Sequence, residues 1–410
     1  MIPFSVLACL VSVVFLWTAG EARADEEIWS LPRCLAYAKA NAPELLAKQK
    51  MVAQTKLDVE DADVCFLPDV GVMVGYNMAE VDSDRGFAGQ LLVSDIFDGY
   101  KKFFEGRLSR IKHEISGLDL ERTRAWLDLK VSHIYLDLLA GLKQTAMSRD
   151  LLALAEEKEE AVETLTQRGL AGPLEARQAR LATLTQRLAV TELEGRNVVL
   201  TRQLKALIGL AEESPFAVDQ DQSILDAVEE INPESKSNLD VAVADLKVKA
   251  LDEQRKLLNL QQWPSPVIAA GWSEGTPAQS DGFYLLMGVN IPLFTAGRQQ
   301  RLIKRQELEI SRRQIDIARL KRSIDLRRSE LEESISRLKL RLSLFQEAAG
   351  LAVDQSRLVA TEFAQGRAGL ADHVDARMEA KQRELEVLRA ELDLSKTQVS
   401  RQALAKVVLK

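Results

Sequence analysis

Phe283-Tyr-Leu-Leu-Met-Gly-Val-Asn-Ile-Pro-Leu-Phe-Thr-Ala-Gly-Arg298 is the stretch on which the fold turns. Phe283, Leu285, Met287, Val289 and Ile291 alternate with Tyr284, Leu286, Gly288 and Asn290, so one face is apolar and the other mostly small or polar. That period of two is a strand with two unlike faces. After Pro292 and Gly297 the period changes. Residues 297–363 hold no proline and only Gly350 as an internal glycine, and Leu308, Ile315, Leu326, Ile335 and Leu338 recur at helical spacing. At 1.5 Å per residue such a helix is about 100 Å long. A helix of that length must bury its apolar stripe against neighbours.

The same plan occurs twice. A helical stretch stops before Pro68 and before Pro264, positions 196 apart; Phe97 and Phe294 are 197 apart, and so are Gly169 and Gly366. Three unlike landmarks in one register mark a duplication. The first long helix is expected over 99–168, and shorter returning helices over 173–207 and 370–408. Each half then reads as a long antiparallel hairpin with one split arm. The first repeat spans 43–209 and the second 237–410. Between them, 210–236 has linker composition around a short helix at 224–230, with Gly209 at its start and Asn232-Pro233 near its end.

Strand-like alternation falls at 69–78, 86–97, 266–274 and 283–293. Each is about ten residues, the length a tilted strand needs to cross a bilayer. Trp263, Trp272 and Tyr76 are candidates for an interfacial aromatic belt. A soluble sheet with one buried face would show the same alternation. Four strands cannot close a membrane barrel, and open edges are not tolerated in lipid. If these strands span, several copies must share one barrel, and three copies give twelve strands.

The N-terminus points to export. Residues 1–18 are almost purely apolar, and Ala22-Arg-Ala24 before Asp25-Glu-Glu27 is an A-x-A cleavage pattern, so residues 1–24 are expected to be a signal peptide. Residues 25–42 form a separate N-terminal segment. Of three cysteines, Cys34 and Cys65 follow the cleavage point; the predicted helix between them keeps them too far apart to bond, and both are expected to be small buried side chains. A net charge of −7 with acids and bases interleaved gives no sign of a nucleic-acid partner. The basic run 298–328 is interrupted by Glu307, Glu309, Asp316 and Asp325 and reads as a solvated helix face.

With this order of elements, the chain resembles the TolC-type outer-membrane efflux family over nearly all of its mature length. The junction Ile291-Pro-Leu-Phe-Thr-Ala-Gly297-Arg298 carries the resemblance, with a weaker copy at Asp95-Ile-Phe-Asp-Gly99. So do the hairpin tips, Gln167-Arg-Gly169-Leu-Ala-Gly-Pro-Leu-Glu175-Ala-Arg177 and Phe363-Ala-Gln-Gly366-Arg367-Ala-Gly-Leu-Ala-Asp372-His-Val-Asp375. The resemblance implies a mostly α protein with a membrane β part. Its duplicated helical hairpins would form a periplasmic α-barrel, and four strands per chain would complete a trimeric 12-stranded transmembrane β-barrel. It implies an outer-membrane location extending into the periplasm, lipid contact, a periplasmic adaptor (membrane fusion) protein and an inner-membrane transporter as partners, and service in tripartite efflux or type I secretion.

The same resemblance places Asp372 and Asp375 where the family has acidic residues ringing the periplasmic entrance, and Glu175 at the first tip among contacts that keep it shut. Three copies would give a negative ring able to hold cations. The family can close these tips with Arg-to-acid bonds; here Ala368 stands in register, leaving Arg177 or Arg367 as the candidate cation. The plainer reading of Asp372 and Asp375 is two carboxylates favoured by a helix N-terminus.

No catalytic residue, metal site or cofactor is expected. His113, His133 and His373 are scattered along long helices, and no phosphate loop or nucleophile elbow occurs. The competing reading is a periplasmic coiled-coil scaffold or adaptor protein whose strands form a small soluble sheet without a membrane barrel.

Overall fold

A computed structural model describes residues 28–64, 70–77, 86–93, 99–219, 222–226, 238–274, 282–290 and 297–408. The expected signal peptide, Cys65, the segments 94–98 and 291–296 that precede the two junction glycines, and most of the linker helix lie outside them. In chain order the elements are β1 (Ile28–Trp29), α1 (Leu31–Asn41), α2 (Pro43–Val64), β2 (Val70–Asn77), β3 (Gly86–Val93), α3 (Gly99–Gln167), α4 (Pro173–Ile208), β4 (Ala217–Val218), α5 (Leu239–Leu260), β5 (Ser265–Glu274), β6 (Gly282–Asn290), α6 (Arg298–Ala364) and α7 (Leu370–Leu404). The succession α2-β2-β3-α3-α4 recurs as α5-β5-β6-α6-α7. Two features had no counterpart in the sequence reading: helix α1 in the N-terminal segment, and a parallel pairing of β1 with β4.

The chain divides into two compact units, and each draws on both repeats. One comprises 1–43, 127–232 and 331–400, the other 44–126, 233–330 and 401–410. The long helices α3 and α6 contribute residues to both.

In the first unit, α1 buries Leu31, Cys34 and Ala38, and α4 buries Leu204 and Ile208. Burial pushes the Cys34 thiol up to about 12, so it behaves as a small apolar side chain. Tyr135 of α3 is fully buried; its hydroxyl donates to the Trp29 carbonyl at 3.1 Å and lies 3.3 Å from Gln222 Oε1. The helix α4 ends at Gly209, whose φ of +82° is reached easily only by glycine. Its amide and that of Leu210 bond back to the Ala206 and Lys205 carbonyls, a Schellman cap. A side chain there would also meet the Asn41 carbonyl oxygen at 2.5 Å, so the close passage of α1 requires glycine independently. Ile335 and Leu342 of α6 pack with Ala390 and Leu394 of α7. In this unit the buried residues Ile335, Leu342 and Ala349 of α6 step by seven, as in a coiled-coil seam.

The second unit holds a four-stranded antiparallel sheet in the order β2-β3-β5-β6. Val70 lies opposite Val93, Leu92 opposite Gly271, and Ser265 opposite Asn290, so the two hairpins of the repeat join through β3 and β5. Among the described residues β2 and β6 each have one strand neighbour. The described apolar residues of β6, Leu285, Met287 and Val289, are 57%, 70% and 61% exposed. The short helices lie along the long ones. Thr55 Oγ1 of α2 is 3.1 Å from His113 Nδ1 of α3, and Arg110 reaches Asp63 at 2.7 Å. Gln299 and Gln306, one heptad apart on α6, donate to the Leu258 and Leu251 carbonyls of α5. At the start of α5 the Asn238 side chain accepts from the Asp240 amide and donates to the Leu404 carbonyl, while Asp240 takes the Val408 amide at 2.7 Å. The chain's last helix is thereby sewn to the start of the second repeat.

Candidate gate at the hairpin tips

Two helical hairpins, α3–α4 and α6–α7, reverse at tips built alike. Each first helix ends in a Schellman cap on a glycine with positive φ, Gly169 at +73° and Gly366 at +71°. At the first tip the Gly169 and Leu170 amides bond to the Thr166 and Leu165 carbonyls; at the second, the Gly366 and Arg367 amides bond to those of Phe363 and Glu362. Four residues later the returning helices begin. Glu175 Oε2 accepts the Gly172 amide at 3.4 Å, and Asp372 Oδ2 accepts the Gly369 amide at 3.2 Å. Glu175 and Asp372 are therefore equivalent residues, each satisfying an otherwise orphaned donor at a helix start. Pro173, at the first position of α4, loses nothing there by lacking an amide.

Asp375 does something else. Lys158 of α3 donates to both of its oxygens, at 2.6 and 2.7 Å. Arg377 of α7 reaches Glu157 at 3.2 Å, and Lys381 reaches Asp150 at 3.7 Å. The three bridges descend in antiparallel order and tie α7 to α3, the last helix of the second repeat to the long helix of the first. Exposed pairs contribute about 0.2–1 kcal/mol each, so the ladder aligns the helices more than it stabilises them. Glu384, one helical turn on, and then Asp150 hold the Lys381 ammonium above its usual range. Between α3, α6 and α7 lies a groove of about 430 Å³, lined by Asp150, Leu154, Glu157, Arg357, Arg377 and Lys381.

The two arginines singled out from sequence are both exposed and make no side-chain ion pair among the described residues: Arg177 points from α4 and Arg367 from the second tip. The cation on Asp375 is Lys158, which the sequence reading missed. Its one signal was local: Lys158 is the only cation in the acidic run Glu156-Glu157-Lys158-Glu159-Glu160. His373, between the two aspartates, stacks on Phe363 at 5.1 Å with the rings 3° apart, and its buried Nδ1 has no hydrogen-bond partner among the described residues. Of the junction glycines, Gly99 is the first residue of α3, while Gly297 precedes α6 with φ +69° and its carbonyl accepts the Arg301 amide.

Deeper in the first unit α3 and α7 share a polar band. Lys396 Nζ lies 2.9 and 3.0 Å from the two Asp137 oxygens, and Ser400 Oγ is 3.2 Å from His133 Nε2. Burial, aided by the Lys396 charge, holds the His133 imidazole below its usual pKa. Between α3 and α4, Asn197 Nδ2 donates to Thr145 Oγ1 at 2.9 Å, directly over Gly141.

Residues 35–210 match a family model described as outer membrane efflux protein. A search of curated proteins returns no match. Among solved structures, the chain is similar to a membrane protein from Pseudomonas aeruginosa at a TM-score of 0.76 and 14% identity, covering 92% of this chain and 90% of that one. It is similar to the open state of the MtrE outer membrane channel of Neisseria gonorrhoeae at 0.75 and 13%, with 92% and 89% covered. It is similar also to the CmeC outer membrane channel of Campylobacter jejuni at 0.74 and 13%, with 92% and 85% covered. The first repeat thus matches the sequence pattern of outer membrane efflux proteins, and the fold across both repeats is similar to that of solved outer-membrane channels.

Proposed function

We propose that three copies of this chain form a passive duct from the periplasm to the exterior, the outer-membrane channel of a tripartite efflux or type I secretion system. The observation that carries the reading is the sheet: four antiparallel strands with two open edges and a described apolar row turned outward. Direction alternates across it, so β2 of a second copy would run antiparallel to β6 of the first. Three such sheets close into twelve strands with no edge left in lipid. Exposed leucines at heptad spacing support the same assembly. Leu174, Leu181 and Leu188 on α4, and Leu344, Leu351 and Leu358 on α6, lie on the surface of a single chain and suit helices of neighbouring copies.

The entrance is gated at the helical tips. Lys158, Glu157 and Asp150 on one hairpin hold Asp375, Arg377 and Lys381 on the other, and opening requires those bridges to exchange. Asp372, Glu175, Arg177 and Arg367 line the tips and act between copies. The chain supplies the route, and an inner-membrane transporter, reached through a periplasmic adaptor, supplies the energy. The measurement that tests this is the mass of the detergent-extracted protein by light scattering, with detergent subtracted. A trimer retained only in detergent is expected. A monomer or dimer that stays soluble without detergent overturns the duct in favour of a periplasmic scaffold.

A further inference from the structure

The end of the sheet where α5 enters and α6 leaves carries an unusual charge. Ser265 opens β5 and pairs with Asn290, the last residue of β6, so both lie at that end. Immediately before Ser265 stands Trp263, 69% exposed. Shortly after Asn290 the helix α6 begins Arg298-Gln-Gln-Arg301-Leu-Ile-Lys304-Arg305, four cations in its first two turns with no acid before Glu307. Gln299 fastens this turn to the other, donating to the Leu258 carbonyl at 2.7 Å and lying 3.3 Å from Gln261 Oε1. Trp263 and the cations are thus held at one place.

Cations at a helix N-terminus oppose the helix dipole and repel one another. The nearby acids of α5 are engaged: Glu253 by Arg107 and Lys256, and Asp252 by Arg255 and Lys256. Glu307 lies 3.8 Å from Lys304 and 4.0 Å from Arg255. Arg298 and Arg305, one heptad apart and both exposed, make no ion pair among the described residues. Just beyond, on the strand that feeds this helix, Leu285, Met287 and Val289 are exposed and apolar. An apolar band, then an indole, then a cluster of cations follows the profile of a bilayer from acyl chain to headgroup phosphate.

We propose that Trp263, Arg298, Arg301, Lys304 and Arg305 form a docking surface for the phosphate of an anionic glycerophospholipid in the periplasmic leaflet. This rests on the membrane-barrel reading above. The surface fixes the depth at which the barrel sits, because the cations stop at the headgroups while the strands enter the hydrocarbon.

The test uses the full-length assembly in neutral detergent, titrated with short-chain phosphatidylglycerol, phosphatidylethanolamine or inorganic phosphate. Bound lipids are counted by native mass spectrometry and thermal midpoints are recorded. Wild type is expected to bind phosphatidylglycerol at least about tenfold tighter than phosphatidylethanolamine and to show no shift with phosphate alone. Replacing the four cations by Gln should remove most of this preference, leaving the two lipids bound within about twofold of each other. Arg312→Gln with Arg319→Gln, farther along the same helix, should leave it intact. Equal binding of the two lipids, an undiminished preference in the quadruple variant, or phosphate acting as well as phosphatidylglycerol would each overturn the proposal. A trimer without lipid preference defeats this inference alone, whereas a detergent-independent monomer defeats the duct itself.

Discussion

Lys158 closes on both carboxylate oxygens of Asp375, across 217 residues of sequence, at 2.6 and 2.7 Å. The lysine is about a quarter exposed and the aspartate about half, so the pair is wet enough to break and ordered enough to align two helices. Lys158→Met is therefore expected to raise the conductance of the reconstituted channel in planar bilayers, with Lys158→Arg retaining most of the wild-type closure. Arg177→Ala and Arg367→Ala should change it less within one chain's tips. A Lys158→Met channel no leakier than wild type would remove this bridge from the gate.

The negative ring proposed for the entrance has its own readout. Asp372→Asn together with Asp375→Asn is expected to weaken block of the channel by divalent cations, because three copies lose six carboxylates at one constriction. Conductance and block both unchanged would reduce Asp372 to the helix-start role its bond to Gly369 already provides.

Gly141 and Gly195 make an internally controlled pair. An added methyl at Gly141 would meet Asn197 Oδ1 at 2.2 Å, whereas one at Gly195 meets nothing within 4 Å. Gly141→Ala should cost about 1 kcal/mol by displacing the Asn197 amide and breaking its bond to Thr145, in spite of the helix propensity gained. Gly195→Ala should stabilise by up to about 1 kcal/mol. Thermal or denaturant unfolding in one detergent compares them directly, and equal signs would contradict the packing described.

Gly209 and Gly366 separate backbone strain from crowding. Both have positive φ, but only Gly209 faces a carbonyl. Gly366→Ala is expected to cost about 1–2 kcal/mol for the left-handed backbone alone, and Gly209→Ala distinctly more. Unfolding midpoints that rank the other way would argue against the close passage of Asn41.

His133 gives a pH dependence with a definite sign. Its folded pKa lies below the ordinary value of 6.5, so the folded state prefers the neutral ring. That contribution is complete above pH 6.5 and is lost as the pH falls through the depressed folded value. Wild type should melt progressively lower on acidification from neutral pH, and His133→Gln should flatten this part of the profile. A parallel decline in both proteins would assign the acid sensitivity to other groups.

Much of this architecture was legible because its landmarks are stereochemical. Gly169 and Gly366 mark hairpin tips since only glycine takes their backbone comfortably, and the alternation from Phe283 to Ile291 has a period no helix shares. The β1–β4 pairing was invisible, because two-residue strands have no period to read. The helix α1 is eleven residues with only Leu31, Cys34 and Ala38 buried, too weak a stripe to stand out. At the tips, local chemistry was readable and distant chemistry was not. The roles of Glu175 and Asp372 as helix-start acids lie within three residues of their partners, while the Lys158 contact depends on how two separate hairpins pack. The junction that looked stronger was the second, yet the family model falls on residues 35–210, over the first repeat.

The two open edges of the sheet bear on inheritance as well as on form. If the sheet spans the membrane as proposed, a lone copy would bring unpaired backbone into hydrocarbon along β2 and β6, and no copy could complete its own insertion. Folding and assembly are then one event, and its success depends on every participant. An allele with a damaged edge strand, expressed beside an intact one, would spoil mixed assemblies out of proportion to its abundance. Loss of efflux would therefore be dominant for edge-strand lesions and recessive for lesions that stop the chain from being made.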